Sequence, residues 1–379
     1  MKSIVGLIIT TLLFGCTVSK WPKEEKINQI KGAEWFRLIN KQIFVDVEIE
    51  NNKTRFMLDT GSRVSAAIDT TIIPNFCQRK FLQGGLLKSA DDRMIRHSVF
   101  LASVKSNLFK SYNKALAYIK MPIVSCNTFN RNCSGILGLD FFVNNKFPTC
   151  IDFTNNKICN LSKNHFEQLL KSKNFVPIKS YCQSNQIVVF LLIGGHELPF
   201  KLDTGYSGSI LMPNKKNLVL KHRTKTEYSG SFFQTATSIT SGVEYIFDGV
   251  QISFGGQDFT SKVNVSTTIK TQSIGVSLIQ CFDWLIDYSN NKVYIKKNQN
   301  NFQDFYKRQF AYATLVQNGK LVISCKEKSQ TKFQVGDQIT SFNGTKISAE
   351  NLCQIMELLN KTDDWSSFNL EIIPVKRNF

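Results

Sequence analysis

Two carboxylates in matching surroundings are the residues of this chain best suited to chemistry. Asp59 lies in Phe56-Met57-Leu58-Asp59-Thr60-Gly61-Ser62, and Asp203 in Phe200-Lys201-Leu202-Asp203-Thr204-Gly205-Tyr206. One Asp-Thr-Gly in 379 residues is a weak signal, since an aspartate before glycine is often a plain turn. Two copies, each closing the same apolar strand pattern, carry more weight. Carboxyls about 3 Å apart cannot easily both ionise, so a meeting pair shares one proton. One can then act as general base on water while the other donates a proton to a leaving nitrogen. Gly61 and Gly205 let the backbone turn sharply beside the carboxylates. Ser62 can add a hydroxyl donor to Asp59, and Tyr206 can do so for Asp203 if its ring finds room.

The elements that must position these residues also repeat. Asp203 follows Asp59 at an offset of 144 residues (203 − 59). At that offset Ile49 meets Ile193, Phe56 meets Phe200 and Leu58 meets Leu202. Asn51-Asn52-Lys53 falls opposite Gly195-His196-Glu197, so each copy reads as strand, tight turn, strand, aspartate turn. Downstream, Ile136-Leu137-Gly138 answers to Ile274-Gly275-Val276. Ile151-Asp152-Phe153-Thr154-Asn155-Asn156-Lys157-Ile158 answers to Ile286-Asp287-Tyr288-Ser289-Asn290-Asn291-Lys292-Val293. The order and spacing are those of a duplication at domain scale. Asp152 and Asp287 stand beside polar hairpin turns and read as structural strand-end residues.

On these motifs the chain resembles the retropepsin-like and pepsin-like aspartic peptidases in a single-chain, two-lobe form. Asp59-Thr60-Gly61-Ser62 with Gly138, and Asp203-Thr204-Gly205 with Gly275, match the family pattern over about residues 35 to 300. Two departures stand in the second copy: Tyr206 replaces a small residue, and Ser273 precedes Ile274-Gly275. The resemblance implies a mainly β fold with two pseudo-symmetric lobes built as closed or partly open β-barrels. It implies Asp59 and Asp203 as catalytic residues, with support from Thr60, Gly61, Ser62, Thr204, Gly205 and Tyr206. Thr60 and Thr204 would bond across to the other lobe, and Gly138 and Gly275 would pack beneath the aspartate turns. It also implies a hairpin flap over the cleft, best matched by residues 80 to 97 in the first lobe and Thr224 to Gly242 in the second.

The chain opens with Met1-Lys2-Ser3, an apolar stretch from Ile4 to Phe14, then Gly15-Cys16. That stretch is too short to span a bilayer and reads as a signal peptide over 1–15. Leu13-Phe14-Gly15-Cys16 resembles a bacterial lipoprotein cleavage box, which implies lipidation of Cys16 and attachment to a lipid bilayer. A polar tether over 16–31 contains Lys23-Glu24-Glu25, similar to the surface-export signal of Bacteroidetes lipoproteins. The expected lobes run over 32–165 and 166–300. Residues 305–379 resemble a small α/β PDZ domain on Gly336-Asp337-Gln338-Ile339 and Asn343-Gly344. PDZ domains capture chain ends by adding a strand at an edge. Around Phe310-Ala311-Tyr312 the expected glycine-rich carboxylate loop is absent, so this domain can instead dock on the lobes or play a structural part.

The formal charge of +18 is spread along the chain without a dense block, which disfavours nucleic-acid binding and suits an anionic membrane surface. The four histidines make no His-Glu-x-x-His, and no phosphate loop or Gly-x-Ser-x-Gly elbow is present, so no metal or other cofactor is implied. Ten cysteines, less Cys16, leave an odd number; Cys126–Cys133 and Cys150–Cys159 are the local disulfide candidates. The sequence thus points to an anchored aspartic endopeptidase of the bacterial cell envelope, on the periplasmic or the surface-exposed face, acting on an extended polypeptide. One chain supplies both aspartates, so a monomer suffices. The other reading is an inactive peptidase-fold lipoprotein that binds or scaffolds a partner.

Overall fold

The computed structural model describes residues 28–71, 73, 75–76, 81–119, 126, 133–142, 147–172, 174–183, 186–214, 219–235, 239–301 and 310–375. The signal peptide, Cys16 and Lys23-Glu24-Glu25 lie outside the described residues. The fold is mainly β, as the alternating sequence patterns imply. Among the described residues no helix is long and apolar enough to cross a membrane.

Near the start of each half, after the partner strands Gly32–Ile39 and Ser180–Cys182, lies a hairpin whose first strand is largely buried. Gln42–Ile49 pairs with Asn52–Leu58, and Ile187–Ile193 pairs with His196–Leu202. Both turns are of the kind that needs two left-handed residues. Glu50 and Asn51 take φ of 50° and 68°, and Gly194 and Gly195 take 59° and 80°. Different residues therefore make the same turn 144 positions apart (194 − 50). A short strand follows, Ala66–Ala67 or Ile210–Pro213. A long hairpin comes next: Leu82–Lys88 with Met94–Lys105, or Thr224–Gln234 with Ile239–Phe254. Return strands Phe109–Tyr118 and Gln257–Ser266 then lie parallel to those short strands.

The halves are joined by their last hairpins. Thr149–Asp152 pairs with Lys157–Asn160, and Phe282–Asp287 pairs with Lys292–Lys297. The two hairpins then pair with each other, Cys150 opposite Leu285. Asp283 extends the joint, accepting the amide and hydroxyl of Thr154 at 2.9 and 2.7 Å. One apolar core runs through both halves and includes Ile43, Phe56, Leu58, Phe200, Leu202 and Trp284. The helix Lys163–Ser172 straddles the expected boundary at 165/166, which therefore falls within a regular element.

Two sequence expectations need correction. The tether ends before residue 28, because Asn28–Gln29 is a strand on Phe109–Tyr118 and Gln29 is buried with its amide on the carbonyl of Phe142. The 310–375 segment has its own core around Leu321, Ile323, Ile339, Leu359 and Trp365, but it is not separate. Its strand Lys320–Glu327 pairs with Thr224–Gln234, continuing the sheet of the second half. The local disulfide candidates are also overturned. Cys126 bonds to Cys353, 227 residues away, while Cys133, Cys150 and Cys159 are free thiols. Cys150 and Cys159 stand opposite in register, yet the bond that forms is the one created by docking the C-terminal helix.

Candidate active site

Each aspartate ends a strand that is locked to a parallel neighbour. Asn52–Leu58 runs beside Gly135–Leu137, and His196–Leu202 runs beside Ser273–Ile274. The amide of Asp59 donates to Leu137 O and that of Asp203 to Ile274 O, both at 3.0 Å. The apolar strand pattern, the aspartate and the later glycine segment are thus one local unit, used twice.

The glycine after each threonine brings the two units together. A Cβ on Gly61 would stand 2.5 Å from Cγ of Asp203, and one on Gly205 would stand 2.6 Å from Cγ of Asp59. Each turn therefore lies against the opposite carboxylate, at a separation that only glycine permits. Beneath them the threonines form a closed lattice. The Thr60 hydroxyl donates to Leu202 O at 2.7 Å and accepts the Thr204 amide at 3.1 Å. The Thr204 hydroxyl donates to Leu58 O at 2.7 Å and accepts the Thr60 amide at 3.0 Å. Both threonines are buried, so these bonds are made away from water, where losing one partner would cost most.

Gly138 and Gly275 sit under the turns. A Cβ at Gly138 would meet the Val64 backbone at 2.6 Å, and one at Gly275 the Tyr206 and Gly208 carbonyls at 2.4 and 2.3 Å. The next residue bonds to the turn in both halves: Leu139 N donates to Ser62 O, and Val276 N donates to Tyr206 O.

The two carboxylates are dressed differently. Oδ1 of Asp59 accepts the amides of Gly61 and Ser62 at 2.9 and 3.1 Å. The Ser62 hydroxyl turns to Val64 O at 2.7 Å, so Ser62 serves Asp59 through its backbone, not its side chain as expected. Oδ1 of Asp203 accepts the Gly205 amide at 3.2 Å, and its Oδ2 accepts the Ser273 hydroxyl at 3.0 Å. The Tyr206 ring finds its room against Phe233, with centroids 6.2 Å apart. Lys201 adds a cation, its Nζ donating to Gly61 O at 3.3 Å.

Burial and the nearby Asp203 charge push the Asp59 carboxyl up to about 7, against the opposing pull of Lys201 and the two turn amides. The side chains are half-buried but not sealed. Such a pair can hold one proton between two oxygens and polarise a water molecule.

The sequence reading noted Ser273 only as a departure and assigned no role to Lys201. Their signal was present as a polar pair where the first half is apolar: Lys201 is the ladder neighbour of Ser273, and Met57 that of Ile136. Asp152 and Asp287 lie elsewhere, each bonding the amide and side chain of an asparagine in its own turn, Asn155 or Asn290. Among the described residues no group of three or more His, Cys, Asp or Glu is placed to hold a metal. A surface cavity of about 450 Å³ against Val176, Phe282 and Lys296 shares no residue with the aspartate turns.

The ends of the two long hairpins meet. The Thr235 hydroxyl donates to Asp91 at 3.4 Å, and beside it the amide of Lys270, in the loop after Gln257–Ser266, donates to Ala90 O at 3.1 Å. No protein-family model matches this sequence, and no curated protein matches it at a significant level.

Proposed function

We propose that the protein is an aspartic endopeptidase with two pseudo-symmetric lobes, in which Asp59 and Asp203 activate one water molecule for peptide-bond hydrolysis. The observation that carries this reading is the close approach of Gly61 and Gly205 to the opposite carboxylates above the threonine lattice. A structural turn has no need to face its twin across four reciprocal bonds. In the reaction the ionised carboxylate removes a proton from water as its oxygen attacks the peptide carbonyl. The protonated carboxyl supports the developing oxyanion, and the leaving nitrogen is protonated as the C–N bond breaks. Water and amide become a carboxylic acid and an amine, with no cofactor.

The long hairpins act as flaps over an extended polypeptide. One chain completes the site, and Cys16 anchors it in the bacterial envelope. The 310–375 segment is PDZ-like in this reading but docks instead of capturing chain ends. The edge of Tyr312–Gln317 where a peptide strand would add is occupied by Asn360, which bonds the amide and carbonyl of Thr314 at 2.7 and 2.9 Å.

Hydrolysis of a diverse peptide library by the wild-type protein, Asp59→Asn and Asp203→Asn tests the reading. Each substitution removes one acid–base partner and is expected to cost about 10³-fold or more in kcat. Folded variants that keep wild-type activity would refute it, whereas a folded but inert wild type favours the binding-scaffold alternative. Activity requires one proton on the pair. With Asp59 raised from 3.8 to about 7, that proton is retained through acidic pH and lost above neutrality. The rate should therefore fall on the alkaline side near pH 7, and a profile unchanged to pH 9 would contradict this.

A further inference from the structure

We propose that the outer edge of the first long hairpin, along Leu82–Lys88, is a docking site for an extended polypeptide segment of alternating apolar and acidic side chains, which adds to it as an antiparallel strand. The proposal does not depend on catalysis by the aspartates.

The second half holds the precedent. Its outer strand, Thr224–Gln234, is completed by the strand Lys320–Glu327, with Tyr228 opposite Glu327 and Gly230 opposite Cys325. Tyr228 is wholly buried there, and Lys328, just past the added strand, reaches the carboxylate of Glu227. The two outer strands are built alike. Gly84 and Gly230 each stand four residues before the end of their strand (88 − 84 and 234 − 230), and a bulge lies beside each. A Cβ on Gly230 would stand 2.1 Å from Ser324 O of the added strand, whereas one on Gly85 would meet nothing within 4 Å. Among the described residues no strand pairs with the outer edge of Leu82–Lys88.

The side chains at this edge set the chemistry of the partner. Leu86 stands opposite Arg96 and Lys88 opposite Met94, so these four share one face of the hairpin. All four are exposed, Leu86 at 58% and Met94 at 53%. On the other face Leu87 and Ile95 pack against the cluster of Ala66, Ala117 and Ile119, so the hairpin is held while its outer face stays bare. An edge lysine commonly guards a strand against pairing. Here Lys88 turns back to an ion pair with Asp92. Arg96 has no acidic partner among the described residues. In the second half the hairpin offers the acid and the added chain the lysine. In the first half the hairpin offers the cations, so the incoming strand brings the acids. A second copy of this chain would bring the same cations to the joint, in a molecule of formal charge +18.

The test uses a library of nine-residue peptides that alternate Val, Ile or Thr with Glu, Lys or Ser, bound to the folded protein, each peptide being checked as intact afterwards. Peptides with Glu at the alternate positions should bind best, and their Lys counterparts should bind about 10-fold more weakly or worse. Leu86→Asp should weaken the Glu peptides to a similar extent while melting like the wild type, since Leu86 is exposed. An added strand uses the amides of every second residue only. N-methylation of one alternate set should therefore abolish binding, and methylation of the other set should spare it. Bound peptide should slow hydrogen exchange over 82–88. Glu peptides that bind no better than Lys peptides, wild-type binding by Leu86→Asp, or equal loss with both methylated sets would overturn the proposal. A protein dimer that dissociates in Leu86→Asp would overturn it too, because the edge would then belong to a second copy.

Discussion

The hairpins Leu82–Lys88/Met94–Lys105 and Thr224–Gln234/Ile239–Phe254 hold matching places in the two halves but are anchored differently. The inner strand of each pairs with the first hairpin of its own half, Ile49 opposite Val104 and Ile193 opposite Ile252. The outer strands part company. Among the described residues nothing pairs with the outer edge of Leu82–Lys88. Thr224–Gln234 is covered by Lys320–Glu327, with Ser229 opposite Lys326 and Gly230 opposite Cys325. Lys328 reinforces the joint through its amide to Glu227 O and its ammonium to the Glu227 carboxylate. Tyr228 and Phe310 stack at 4.8 Å, and Cys126–Cys353 ties the covering segment back to the first half. An exposed edge strand opens at low cost, whereas a paired and packed one does not. In the proposed peptidase, substrate admission would fall to the first hairpin.

Gly230→Val should break this comparison most strongly. Gly230 has φ +124°, and a Cβ there would stand 2.1 Å from Ser324 O. The strain and the clash together should cost about 3 kcal/mol or more in thermal stability and raise hydrogen exchange over 224–234 and 320–327. Gly85→Val in the first hairpin is the control, since an added Cβ there meets nothing within 4 Å. Equal losses at the two glycines would mean that the hairpins do not differ in support.

Removing the long disulfide comes next. The Cys126→Ser/Cys353→Ser variant should lose about 2–4 kcal/mol and show faster exchange in the C-terminal strands. Identical melting of oxidised and dithiothreitol-reduced wild type would exclude a clamping role for the bond.

Glu244, wholly buried on the second hairpin, sharpens the comparison with pH. Its Oε1 accepts the Ser266 hydroxyl at 2.6 Å, while its Oε2 has no partner among the described residues. Burial raises its carboxyl from 4.5 to about 7. The raised value means that the folded state binds the proton more tightly. Its stabilising contribution is full below about pH 4.5 and is lost as pH rises through 7. Glu244→Gln should therefore stabilise the protein by about 2–3 kcal/mol at pH 8 and change little at pH 4. Melting curves that shift equally at both pH values would contradict this.

The comparison also shows which features were legible in one dimension. Asp59, Thr60, Gly61 and their copies were readable because the same short strand-turn unit is used twice, and a local unit leaves a local pattern. Gly138 and Gly275 were readable for the same reason. Ser62 misled because a serine hydroxyl has several carbonyls within reach, and Val64 O was closer to hand than the carboxylate. Ser273 and Lys201 appeared as lapses from the repeat, since nothing local says that two strands 70 residues apart place them beside the aspartates.

By itself the sequence determined the repeated strands, a tight turn between the first two strands of each repeat, and the two aspartate turns. Those depend on side-chain alternation and backbone freedom within a few residues. Only the tertiary structure decided which hydroxyl meets Asp203, which cysteine joins Cys126, and which hairpin the C-terminal strands cover. Each of those is a contact between segments far apart in the chain. It is selected by how whole sheets pack, a choice that no neighbouring residue records.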